Sequence, residues 1–268
     1  MQKSRKKIGI AFGSGGVRGL AHIGALRCLL DNNIPIDYLA GTSVGAWVAS
    51  LYGLHQDFAQ VEMATVGYQK EKMRAMIEPT VKGGLIKGKK IEAFLQQWFG
   101  NTIFENTKIP TTVVAADLVS GKEVLFATGP ITTAVRASMA IPFIFAPVHY
   151  QNMILVDGGI VNPVPDDVVR KMGADVVIAI NLDRFTDAED FSTKKLSLRN
   201  VAGRSYFIAR HTLAAQSQIT ADVIIEPHMT SLGFKVWKEY FGKKKLYPLV
   251  TAGYKAMNEK IDIIKNLI

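Results

Sequence analysis

Cysteine is nearly absent: Cys28 stands alone in 268 residues. An intramolecular disulfide is therefore impossible, and the C-x-x-C spacing that holds zinc or a redox centre cannot occur. Histidine is scarce as well. The five, at 22, 55, 149, 211 and 228, show no paired helical spacing, so neither a metal site nor a bound cofactor is expected. Long apolar runs are also missing, and none approaches the ~18 residues that span a bilayer. The start, MQKSRKKIGIAFGSGG, is basic and then apolar in the manner of a signal peptide. Its apolar part, IGIAF, is too short for that and runs straight into glycines. These absences lead to the expectation of a soluble, cytoplasmic protein.

What is present is a globular composition. With 48% hydrophobic and 21% charged residues, well mixed along the chain, a full core can form without covalent staples. No internal repeat or low-complexity linker divides it, so one domain over residues 1–268 is expected. The net charge of +9 would suit phosphate-rich partners, either nucleic acid or an anionic membrane surface. Ordinary solvated lysines account for it equally well.

Short apolar segments alternate with helical patterns. KKIGIAF, IDYLA, TTVVAADL, KEVLFAT, NMILVD, DVVIAINL and ADVIIEP read as strands. Between them, residues 19–30, 44–54, 56–78, 90–99, 165–173 and about 195–218 read as helices, with a last one near 249–265. Two of these, GLAHIGALRCLL and VGAWVASLYGL, are apolar on every side and belong inside a domain. Strands alternating with helices argue for a mostly parallel sheet wrapped by helices.

Three glycine-containing stretches carry candidate chemistry. In LAGTSVGAWVAS, Ser43 lies between Gly41 and Gly45, with Thr42 and Val44 beside it. A G-x-S-x-G between a strand and a helix is the context in which a serine is held on a sharp turn as a nucleophile. A Thr-Ser helix cap would use the same letters. The second stretch, GSGGVRG at 13–19, directly follows the first strand. Its Gly15 and Gly16 leave N–H groups open to an anion, either a nucleotide phosphate or the oxyanion of an acyl intermediate. Arg18 occupies the place where a dinucleotide fingerprint needs its third glycine, and a plain turn is the remaining alternative. The third is Asp157, at the end of NMILV and before Gly158 and Gly159. It is a candidate base for Ser43 provided its site is desolvated or tightly hydrogen-bonded; otherwise it is an Asp-Gly turn. The rival bases are the late histidines, His211 and His228. GGLIKGKK matches a phosphate loop through Gly83, Gly88 and Lys89, but Lys90 stands where Ser or Thr would hold magnesium. It reads as a surface loop.

Taken together, GGVRG at 15–19, GTSVG at 41–45 and DGG at 157–159, in that order, resemble the patatin-like phospholipase family. AADLVSGKEVLF, ASMAIPFIFAPV and DGGIVNPVP add to the likeness, which is strong over about residues 7–182 and weaker beyond. The resemblance implies a three-layer α/β/α sandwich with a central, mainly parallel sheet. It also implies a lipid acyl hydrolase with a Ser–Asp dyad: Ser43 as nucleophile, Asp157 as base and no catalytic histidine. Backbone N–H groups of Gly15, Gly16 and Val17 would hold the oxyanion. Arg18 matches the basic residue of the family's loop, next to Gly19, and either touches substrate or holds the loop. Ser14 departs from a glycine common in the family. The implied partner is a lipid or acyl ester, not nucleic acid, with an esterase, thioesterase or acyltransferase on soluble acyl groups as the alternative. A non-catalytic membrane-associated or nucleotide-binding module is the alternative from another class. For lipid access, GFKVWKEYFGKKKLYPLV at 233–250 interleaves aromatics with lysines, as suits an anionic interface, and the polar stretch 56–99 is a lid candidate.

Overall fold

In β1 (Ile8–Phe12) successive side chains point to opposite faces of the sheet, and both faces are buried. Ile8, Ile10 and Phe12 join one apolar cluster, while Ala11 joins the other. The computed structural model describes residues 5–80, 83–183, 197–229 and 247–268. Its sheet runs β5-β6-β3-β2-β1-β7-β8, with β4 also paired to β3. β2 (Tyr38–Thr42), β3 (Thr111–Asp117), β7 (Val176–Ile180) and β8 (Val223–Ile225) continue β1 as a parallel sheet. β4 (Glu123–Phe126) and β6 (Met153–Asp157) lie antiparallel to β3, and β5 (Val148–Tyr150) lies antiparallel to β6.

The two faces differ in side-chain size, and this sets the layers. Bulky Ile, Leu and Phe residues on one face pack against α1 (Leu20–Asp31), α2 (Val44–His55), α5 (Lys89–Phe99), α6 (Ile131–Ser138) and the C-terminal helices Tyr247–Asn258 and Ile261–Leu267. Smaller residues on the other face, Ala11, Ala40 and Ala179 among them, receive Val168 and Val169 of α7 (Asp166–Lys171) and Ala214 of the helix Leu198–Ser217. The result is the expected three-layer sandwich, with a parallel centre and an antiparallel end at β4–β6.

Register on β3 brings two chain segments end to end. Val113 and Val114 pair with β2 and β4; Ala115 and Ala116 pair with β4 and β6. Because a strand has only two edges, β2 and β6 share the edge opposite β4. Thr42 faces Val114 and Asp157 faces Ala115. The residue after Thr42 therefore emerges beside Asp157.

Several boundaries differ from the sequence expectation. The helix expected over 56–78 is two, α3 (Phe58–Val66) and α4 (Gln69–Ala75), broken where Tyr68 takes a left-handed φ of 56°. The C-terminal helix breaks at Glu259–Lys260. The helix α6 and the strand β5 were not expected from sequence. No helix among the described residues is long and apolar enough to cross a membrane. Of the interleaved segment 233–250, residues 233–246 lie outside the described residues.

Candidate active site

Ser43 caps α2 with φ 58° and ψ −122°, a conformation that costs an L-residue about 1–3 kcal/mol and survives only where its surroundings impose it. Two close approaches impose it here. A Cβ on Gly41 would lie 2.3 Å from the Gly45 carbonyl oxygen, and one on Gly45 would lie 2.0 Å from that of Phe12. The turn thus packs α2 directly onto β1 and β2, and only glycine fits at either position. A third restraint comes from α6. The Ser43 N–H donates to Ser138 Oγ at 2.8 Å, and Ser138 Oγ–H donates to the Val114 carbonyl at 2.6 Å. Thr42 donates from its hydroxyl to the Asn162 carbonyl.

The Ser43 hydroxyl donates to Asp157 Oδ2 at 2.5 Å, and both residues are buried. The other carboxylate oxygen, Oδ1, accepts the Gly159 N–H at 2.8 Å, which fixes the carboxylate plane. Gly158 begins the single helical turn after Asp157. Burial raises the Asp157 pKa above the ordinary carboxylate range. The positive charge of Arg210 and the hydrogen bonds from Ser43 and Gly159 offset only part of that rise.

The glycine loop 13–19 is anchored from four sides. Gly13 N–H donates to the Ile180 carbonyl and Ser14 N–H to that of Pro163. His22 Nε2 donates to the Gly13 carbonyl at 2.7 Å; its pKa is pushed down to about 4 by burial, so the ring is neutral near pH 7. Arg18 points away from solvent, donating Nε–H to the Gly15 carbonyl and Nη2–H to Asp183 Oδ1 at 2.6 Å. Asp183 also accepts from Ser14 Oγ and from Arg210, whose Nη2 lies 2.6 Å from Oδ2. Burial alone would raise the Asp183 pKa, but Arg210 and Arg18 outweigh it and hold the carboxyl below its ordinary value. Gly16 and Val17 open a short helical turn ending at Gly19. The first N–H groups of a helix have no acceptor within it, so these two are available to a ligand.

Gly16, Val17 and Ser43 share one pocket of about 150 Å³. Its walls are apolar, drawn chiefly from the start of α1, from α2, α4 and α5 and from the loop after α6, and include Leu20, Trp47, Phe94, Leu95 and Ile141. Gly15 is not on the lining; its carbonyl is engaged by Arg18. One lining cation, Lys72, donates Nζ–H to the Thr65 carbonyl at 2.7 Å. Burial pushes its pKa down to about 7, against a small opposing effect of Glu71.

Residues 10–169, more than half of the chain, match the family model described as patatin-like phospholipase. The chain belongs to this family. An uncharacterized NTE family protein of Mycobacterium tuberculosis (strain ATCC 25618 / H37Rv) is 36% identical over 183 residues, covering 67% of this chain and 50% of that protein. A patatin-like phospholipase domain-containing protein of Caenorhabditis elegans is 30% identical over 181 residues, 65% of this chain and 13% of that protein. The chain thus spans about half the length of the mycobacterial relative. The solved structure of VipD from Legionella pneumophila matches with a TM-score of 0.58 at 13% identity, over 97% of this chain and 67% of that one, a likeness of fold.

In this patatin-like chain the three glycine-bearing motifs converge, and the rival bases do not. His211 Nδ1 faces the Asp183 carbonyl at 2.8 Å, and His228 is exposed. Among the described residues no strand leads into the phosphate-loop lookalike: Gly83 and Gly88 lie on a loop, and Lys89 is the first residue of α5. Four residues that fix the site were not singled out from the sequence: His22, Asp183 and Arg210 stand in no motif, and Ser138 lies in the family-like stretch ASMAIPFIFAPV without marking its role. Each acts across the fold on a loop or carbonyl that no local pattern encodes.

Proposed function

We propose that this protein is a serine hydrolase of lipid acyl esters, with Ser43 as nucleophile and Asp157 as its base. The observation that carries the proposal is the 2.5 Å hydrogen bond from Ser43 Oγ to Asp157 Oδ2, on the wall of an apolar pocket. Asp157, with its pKa raised by burial, is a stronger base than an exposed aspartate. It takes the hydroxyl proton as Oγ attacks the ester carbon. The oxyanion that forms is held by backbone N–H groups of the glycine loop, with Gly16 and Val17 beside the pocket and Gly15 as the neighbouring donor. Collapse breaks the ester C–O bond, and the proton on Asp157 passes to the departing alcohol. A water then gives its proton to Asp157 and attacks the acyl-enzyme, releasing the fatty acid and returning the proton to Ser43.

The apolar lining favours an acyl chain over a polar acyl group, which supports a lipid substrate ahead of a soluble thioester or acyltransfer partner. A fluorophosphonate probe should label the wild type and fail to label Ser43→Ala. Labelling of both at the same rate would remove Ser43 as nucleophile; labelling of neither would favour a binding module. Among enzymes, activity that jumps when a monomeric ester is replaced by micelles of the same acyl chain identifies a lipase.

A further inference from the structure

Around the apolar pocket, inward and outward side chains alternate. Met76, Ile141 and Phe145 line the pocket, whereas their neighbours Ile77 and Phe143 point outward, 61% and 71% exposed. Leu85, 66% exposed, joins them through the backbone. Leu85 N–H and Ile86 N–H both donate to the Ile144 carbonyl, and Ala146 N–H donates to that of Ile86. Phe143 holds this outward position at a left-handed φ of 69°, a strained backbone for an aromatic residue. Folding thus keeps three large apolar side chains in water on segments that border the pocket, and exposed apolar side chains gathered beside a pocket mark an interaction site.

A buried cation braces that rim. Arg136 on α6 donates Nε–H to the Gly88 carbonyl and Nη2–H to the carbonyls of Lys87 and Ala146. It therefore ties the loop carrying Leu85 to the loop carrying Phe143. Gly88 sits at φ +86°, and a Cβ there would be 2.0 Å from Arg136 Nη2. This explains the glycine of the phosphate-loop lookalike: it admits Arg136, not a phosphate. The surrounding stretches 69–80 and 83–92 carry six Lys or Arg against three Glu, and Lys70, Arg74, Lys87, Lys89 and Lys90 are exposed.

We propose that Ile77, Leu85 and Phe143, flanked by Lys87 and Lys89, form a docking face for an anionic bilayer surface at the rim of the acyl pocket. Apolar side chains that enter the acyl boundary beside lysines that meet headgroups are the pattern of interfacial binding. A second copy of the chain is disfavoured as occupant, since a symmetric contact would set lysines against lysines. The proposal deepens the hydrolase assignment and rests on it only for what passes from the bilayer into the pocket.

The test is flotation of the full chain with vesicles of phosphatidylcholine alone and of phosphatidylcholine mixed with phosphatidylglycerol. Parallel assays follow hydrolysis of a monomeric p-nitrophenyl butyrate and the oligomeric state. Leu85→Asp with Phe143→Asp should lower vesicle partitioning by roughly tenfold or more on both compositions, while monomeric ester turnover and the thermal melt stay near wild type. Lys87→Gln with Lys89→Gln should lower partitioning by about tenfold on the anionic vesicles only. Partitioning of the aspartate variant equal to wild type overturns the proposal, as does a wild type that binds neither vesicle. A change of oligomeric state with vesicle binding intact reassigns the face to self-association. Vesicle binding as expected with no ester turnover leaves the docking face standing and removes the hydrolase assignment.

Discussion

Asp157 has no exposure to solvent, so its charged form has given up water for two hydrogen bonds and the distant charge of Arg210. Its folded pKa lies above the unfolded value. In the window between the two, the native state binds more protons than the unfolded chain, so stability falls as pH rises through that window. Asp157→Asn keeps the shape and removes the ionisation. The variant should be more stable than wild type in urea at pH 7, with the gap closing below pH ~4, where both states are protonated. Activity should move the other way. A base must be ionised, so turnover should fall as pH drops through the raised pKa, and Asp157→Asn should lose about 10²–10⁴ in kcat/KM. A variant less stable than wild type at pH 7 would mean the buried charge is not the cost inferred here. At this scale the sequence was informative. Ser43 and Asp157 each sit in a short glycine pattern whose meaning is local. The left-handed backbone of Ser43 and the partner at Ser138 were not legible, because both arise from how closely α2 and α6 approach the sheet.

Three elements meet at Asp183: the glycine loop through Ser14 and Arg18, the end of β7, and the helix Leu198–Ser217 through Arg210. One carboxylate balances two buried guanidiniums, and removing one member of such a group typically costs 3–5 kcal/mol because the others stay charged. Asp183→Asn should therefore unfold at clearly lower urea, with a loss of about 3–5 kcal/mol. Turnover should also fall in the fraction that remains folded, since the loop that presents Gly16 and Val17 loses one of its four anchors. Because the folded pKa of Asp183 is depressed, its contribution is present above the ordinary carboxylate pKa and is lost as pH falls through the depressed value. Wild type and variant should converge in strong acid. A loss under 1 kcal/mol would show that the cluster does not hold the loop. Most strands and helices could be assigned by period and apolar content, but this cluster could not, since Arg18 and Arg210 lie 192 positions apart (210 − 18). The helix α6 was missed for a different reason. ITTAVRAS is short and begins with three β-branched residues, so local propensity argues against the helix that packing imposes.

The molecule's long-range closure is the crossing of α1 and the C-terminal helix Tyr247–Asn258. α1 follows directly on the glycine loop, so whatever supports it supports the site. Two glycines set the crossing. A Cβ on Gly253 would lie 1.8 Å from the Ala21 carbonyl oxygen, and one on Gly24 would lie 1.8 Å from that of Val250. The helices therefore touch backbone to backbone. Opposing effects can be compared at this contact. In an open helix interior, glycine to alanine stabilises by about 0.5–1 kcal/mol. Gly203, in the helix Leu198–Ser217, has nothing within 4 Å of the added methyl, and Gly203→Ala should raise the melting temperature. At Gly253 and Gly24 the obstacle is main chain, which cannot rotate aside, and overpacking of a tight contact costs about 1–3 kcal/mol. Steric cost should outweigh the same propensity gain, so Gly253→Ala and Gly24→Ala should both melt below wild type. Their double variant should lose less than the sum, because the first methyl already pushes the helices apart. Melting curves of wild type and the four variants decide it: a Gly253→Ala protein that gains as much as Gly203→Ala would mean the two helices do not meet at this distance.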